Sequence, residues 1–139
     1  MIHSNFGLAW IAFALAVSLH VADEATHDFL SIYNPNARAI RARFHLPIPV
    51  FTSHSFILSL SAAIALLFLL TPLALHGTHW VRVAALPLGI LIGVGNACVH
   101  FGASVFYRRW MPGVLSAPLL AIAGGWLFWT AWMEGPALF

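Results

Sequence analysis

The chain has 139 residues, of which 61% are hydrophobic and 7% charged, with a mean hydropathy of +0.90 and a formal charge of +2. Soluble domains carry roughly 25% charged residues, so this chain has too few polar side chains to coat a water-facing globule, and its length allows one domain. Its positive charge comes from six Arg and no Lys, spread over loops; that pattern excludes the clustered basic face of a nucleic-acid binder.

The first apolar run, Phe6 to Leu19, has the length of a signal-peptide core, but the five residues before it contain neither Lys nor Arg, so a retained helix is expected. Its helical periodicity continues through His20, Asp23, Glu24 and His27, which predicts one helix from about residue 5 to 33, ended by Asn34-Pro35-Asn36. A short interfacial helix over residues 37–44 carries Arg38, Arg41 and Arg43, and Pro47 and Pro49 precede re-entry. Three further stretches, 51–75, 81–107 and 114–133, each have about the 20 apolar residues that cross hydrocarbon. The expected fold class is all-α: a four-transmembrane-helix bundle over residues 1–139 with an interfacial helix between spans one and two. Pro112-Gly113 is expected to open the last span. Trp126, Trp129 and Trp132 suit an aromatic belt at its far end.

Arginine asymmetry orients this bundle. Loops 34–50 and 107–113 hold five Arg, with only Arg82 opposite, so the positive-inside rule puts those loops in the cytoplasm and both termini outside an inner or plasma membrane.

The chemistry lies in the polar residues. At about 100° per residue, His20, Asp23, Glu24 and His27 share an arc of roughly 100°. Ionisable groups within a span are costly, about 2.5–3.5 kcal/mol for a central Asp, and must face the bundle interior. Span three offers partners in Asn96 and His100, at i and i+4, on a face shared with Gly89 and Gly93, a small-xxx-small pair that admits a close neighbour. At 1.5 Å per residue, His20 lies about 22 Å and His100 about 27 Å along their inward-running spans, at matching depth.

A divalent metal ion (zinc, iron or manganese) accounts for such a set, because carboxylates offset its charge and imidazoles complete its coordination. His20, Asp23, Glu24 and His100 are the expected ligands, with His27, His54 and Asn96 as possible additions. Glu24-x-x-His27 also has the spacing used in di-iron bundles. The bland alternative is an ion-pair and hydrogen-bond cluster that glues helices together. Cys98, the lone cysteine, is expected to pack away from His100 and can form no intrachain disulfide. His3 and His45 are expected to be solvated, and the loop residues His76 and His79 need no role.

His20-Val-Ala-Asp23-Glu24, Asn96-Ala-Cys-Val-His100 and Trp110-Met-Pro112-Gly113-Val-Leu-Ser116 together resemble the HXXEE-motif family of small four-span membrane proteins, whose function is uncharacterised. Asp23 stands where the motif has its first Glu, and Trp110 and Ser116 stand where the last element has Tyr and Thr. The resemblance implies the architecture and the focal residues but no reaction.

The leading expectation is a metal-dependent membrane enzyme, hydrolase or oxidase, acting on a lipid-soluble or amphipathic small substrate. In the hydrolytic version, Asp23 or Glu24 acts as general base towards water activated by the ion. Such a substrate would enter between helices, with Gly124-Gly125 leaving a gap. The alternative is a proton-coupled transporter, a homo-oligomer using the same carboxylates as proton carriers. Haem ligation by two histidines ranks third, because it leaves both carboxylates unexplained.

Overall fold

The computed structural model describes residues 4–134, and these are all-helical with short connections. His3 lies outside the described residues. The first helix, α1, spans Ser4–Thr26 and ends earlier than its periodicity predicts. The Asp23 carbonyl accepts bonds from Thr26 Oγ1 at 3.1 Å and His27 Nδ1 at 2.8 Å, and Asp28 then turns left-handed at φ 53°. Asp tolerates that region better than most residues, and hydrophobic spacing carries no sign of it.

The interfacial helix is correspondingly longer than expected. α2 covers Phe29–Phe44 and runs straight through Pro35, so Pro35 does not end a helix here. The loop after it folds back on α2: the Asn34 amide donates to the Phe51 carbonyl and its oxygen accepts from the Phe51 N–H, at 2.8 and 3.0 Å. α3 (Ser53–Leu69) begins at a reciprocal capping box between Thr52 and Ser55, and α4 (Thr71–Leu75) follows with Pro72 in its first turn.

The third rod is continuous but not uniform. α5 (His79–Pro87) passes into a π-helical segment (Leu88–Gly95) and then α6 (Asn96–Tyr107). Pro87 lacks the N–H that would bond one turn back, and the widened turns begin directly after it. α7 spans Ala117–Met133. Pro112 and Gly113 sit in the turns before α7 rather than opening it, because Gly113 takes φ +84°, outside the helical region.

α7 is the hub. Its Leu120, Ala123, Leu127 and Ala131 join Phe6, Trp10 and Phe13 of α1 and Val81 and Ala85 of α5 in one core. Gly124 meets the third rod at its glycine pair: a Cβ on Gly93 would stand 2.6 Å from Gly124 Cα, and one on Gly89 2.5 Å from the Gly124 carbonyl oxygen. The expected gap at Gly124-Gly125 is therefore closed at Gly124. Gly125 points away, and a Cβ placed on it would meet nothing within 4 Å. Arg82 is buried, its guanidinium over the Phe6 ring and bonded to the Glu134 carbonyl.

α3 is the outlier. Its main partners are α1 and α4, and Ile57, Leu58, Leu66 and Leu69 are each more than half exposed. Cys98 is also exposed while His100 is buried, so the two lie on different faces of the helix. Among the described residues two helices, Asn5–Thr26 and His79–Tyr107, are long and apolar enough to cross a membrane; Ser53–Leu69 and Ala117–Met133 are apolar but shorter.

Candidate metal centre

α1 and α6 bring His20, Glu24 and His100 together, and all three are buried. His20 and Glu24 are one turn apart on α1, with His20 Nε2 3.6 Å from Glu24 Oε1. From α6, His100 Nε2 approaches the same oxygen at 3.1 Å. The two imidazoles meet edge to face, with ring centroids 4.8 Å apart. Phe29 covers the cluster, its ring 5.9 Å from that of His100 and stacked on Phe56.

Gly113 explains how the imidazoles fit. A Cβ there would lie 2.6 Å from His100 Cε1 and 2.9 Å from His20 Cε1. The residue must also hold a positive φ, which glycine does without strain. Both demands fall on one position.

Ser116 sets the orientation of His20. Its hydroxyl donates to Asp23 Oδ2 at 2.7 Å, because a carboxylate oxygen accepts and a charge-assisted bond outcompetes its 3.1 Å contact with the Gly113 carbonyl. Ser116 Oγ, 2.9 Å from His20 Nδ1, then accepts the proton that this nitrogen carries. His20 Nε2 is left as an acceptor, and the Asn96 amide donates to it at 2.8 Å. The Nε2 lone pair is thereby taken up by Asn96, with Glu24 Oε1 3.6 Å away, so an ion bound at this nitrogen would replace the Asn96 hydrogen bond.

Asp23, expected among the ligands, stands outside the group. Its Oδ2 also accepts the Ser116 N–H at 3.1 Å, and its Oδ1 lies 2.9 Å from His27 Nδ1. Neighbouring helical residues point about 100° apart, so Asp23 and Glu24 cannot aim at one spot, and the turn before α7 takes Asp23. His27 is exposed beside Asp23, and His54 is exposed in the first turn of α3; neither joins the cluster. Asn96 touches it only through His20. Ser116 and Gly113 are the site residues that residue chemistry did not single out. Their signal was the Pro112-Gly113-x-x-Ser116 element, which carried a resemblance but no role.

The three donors could hold a metal ion. One ligand atom from each of His20, Glu24 and His100 lies within 4.8 Å of the others. Zinc–ligand bonds of about 2.0–2.1 Å imply tetrahedral edges of roughly 3.3 Å, and the two separations to Glu24 Oε1, 3.1 and 3.6 Å, bracket that value. The His20–Ser116–Asp23 link matches the usual support of a metal-binding imidazole, whose second nitrogen donates to a fixed acceptor.

No curated protein and no solved structure matches the chain. A family model described as a protein of unknown function with HXXEE motif matches residues 10–128, a stretch that contains every residue of this cluster. The chain belongs to that family of HXXEE-motif proteins.

Proposed function

We propose that the chain is a divalent-metal-dependent integral membrane enzyme acting on an amphipathic small substrate. The observation that carries this reading is the gathering of two imidazoles and one carboxylate, all buried, within 4.8 Å. Three protein ligands, rather than four, are the pattern of catalytic rather than structural sites.

The surface supports the bilayer as solvent. Large apolar side chains are exposed all round, among them Leu15, Leu69, Val105, Phe106 and Ile122, each more than half exposed, whereas water-soluble monomers rarely show large apolar patches. α3 and α7 have 17 residues each, about 26 Å of helix against a hydrocarbon core of about 30 Å; α4 extends the first of them. All four rods then span, with both termini outside and the arginine-bearing α2 and 107–113 turn in the cytoplasm.

Within the site, His20, Glu24 and His100 bind the ion. Ser116 and Asp23 hold the His20 ring so that Nε2 faces inward, and Phe29 with Phe56 keeps bulk water off. An ion at His20 Nε2 would displace the Asn96 amide that bonds there, leaving that N–H as a donor beside the reacting centre. A divalent ion held there supplies Lewis-acid polarisation of a substrate oxygen and makes water acidic enough to react near neutral pH. Asp23 is already engaged by Ser116 and His27, which leaves Glu24 as the carboxylate of the cluster.

Plasma mass spectrometry of the purified protein tests this. Near-stoichiometric zinc, iron or manganese is expected in the wild type and a loss of most of it in Glu24→Ala and His100→Ala. A metal-free wild type, or unchanged occupancy in both variants, overturns the proposal.

One observation favours a second reading, proton-coupled permeation. Exposed His27, Asp23, Ser116 and buried His20 form an unbroken file of contacts of 2.9, 2.7 and 2.9 Å. On this reading a homo-oligomer in vesicles carries a proton flux that Asp23→Asn abolishes.

A further inference from the structure

The poor packing of α3 leaves a cavity of about 590 Å³ between α1, α3 and the third rod, within the roughly 300–1,000 Å³ of small-molecule sites. Its lining is almost wholly apolar. The polar atom of its lining tryptophan, Trp10 Nε1, is already bonded to the Leu67 carbonyl at 2.9 Å.

Its three walls lead to the same place. On α1, Val17 and Val21 line the cavity, and Glu24 lies seven residues beyond Val17, on the same helical stripe. On the third rod, Leu88 and Ile92 line it, and steps of four then reach Asn96 and His100. On α3, Leu60 lines it, and one turn back stands Phe56, whose stacking partner Phe29 lies against His100. Trp10, Leu70 and Ala84 line the opposite end. From Trp10 to Val21 the groove runs about 16 Å at 1.5 Å per residue.

We infer that this groove holds one aliphatic chain of the substrate, with its polar head at His20, Glu24 and His100; the inference rests on the enzyme reading above. A helix from a second copy does not fit: about 16 Å of a helix about 10 Å across occupies over ~1,000 Å³, well beyond this cavity. A flexible hydrocarbon chain meets no free polar group along the groove, whose Val21, Leu60 and Ile92 end lies one helical turn from Glu24, Phe56 and Asn96. The groove thereby selects for a single-chain amphiphile and sets its direction.

Two photoreactive long-chain fatty acids test this, one carrying its diazirine at the terminal carbon and one beside the carboxylate. Each is cross-linked to the metal-loaded wild type in phospholipid nanodiscs and mapped by peptide mass spectrometry. The terminal probe is expected on the Trp10, Leu70 and Ala84 end, and the carboxylate-side probe on the Val21, Leu60 and Ile92 end. Ala63→Trp, which fills the groove from an exposed position, should reduce both to the level seen on outward-facing Leu115 and Ile122 while metal content stays unchanged. Labelling as strong on Leu115 and Ile122 as in the groove, or in the reverse order along it, overturns the inference, and the wild-type maps decide this without any variant. Ordered groove labelling in protein that binds no metal would overturn the enzyme reading and leave the groove standing; bound metal with unordered labelling would do the opposite.

Discussion

Glu24 Oε1 lies 3.1 Å from His100 Nε2, although the two residues sit on different helices and both are buried. That contact joins α1 to α6 through polar groups in a protein whose other interhelical contacts are mostly apolar. A glue role and a metal-binding role both require it, and they diverge when the charge of Glu24 is removed without changing its shape.

Glu24→Gln keeps the volume and one acceptor oxygen. If the cluster binds an ion, affinity measured by competition with a fluorescent chelator should fall by more than the roughly 10–100-fold typical of losing an outer partner. Thermal unfolding of the metal-free protein in detergent should change little, because the stabilisation that bound metal supplies is then absent from both proteins. The opposite pair of results, intact affinity with a large loss of stability, would identify glue.

Ser116→Ala removes the link between His20 Nδ1 and Asp23. Metal affinity should drop about 10–100-fold, and nitrogen NMR should show His20 shifting away from the Nδ1–H tautomer. Ser116→Thr, which retains the hydroxyl, should restore both. A tautomer unmoved by Ser116→Ala would show that Ser116 does not position the ring.

Gly113→Ala places a methyl group 2.6 Å from His100 Cε1 on a backbone at φ +84°. The backbone strain alone costs about 1–2 kcal/mol, and the imidazoles must separate. Loss of metal together with a lowered unfolding temperature is expected. Normal metal stoichiometry in this variant would contradict the packing described here.

Gly124→Ala and Gly125→Ala make a matched pair. The first drives a Cβ to 2.6 Å from Gly93 Cα, whereas the second meets nothing within 4 Å. Overpacking costs typically about 1–3 kcal/mol, so thermal melting in detergent should fall for Gly124→Ala and hold for Gly125→Ala. Equal effects would argue against the glycine-to-glycine crossing.

The limits of local pattern show at particular residues. The periodicity from His20 to Tyr33 is continuous, yet the chain breaks at Asp28, because a single left-handed residue leaves apolar spacing almost undisturbed. Pro35 and Pro112 misled in opposite ways, one lying inside a helix and the other ahead of one. Asp23 and Glu24 are adjacent carboxylates in the sequence, and only their neighbours separate them: Ser116 takes the first, and His100 meets the second.

Composition and periodicity alone determined an all-helical, strongly apolar chain whose polar groups gather on α1 and α6, because burial preference and helical spacing are local properties of the residues. Only the tertiary structure decided which of those groups meet. The Gly89–Gly93–Gly124 crossing and the positive-φ turn at Gly113 bring side chains far apart in sequence to a few ångströms. Distances of that size depend on how whole helices cross; the Gly89-x-x-x-Gly93 spacing signals that a helix comes close there but not which one or at what register.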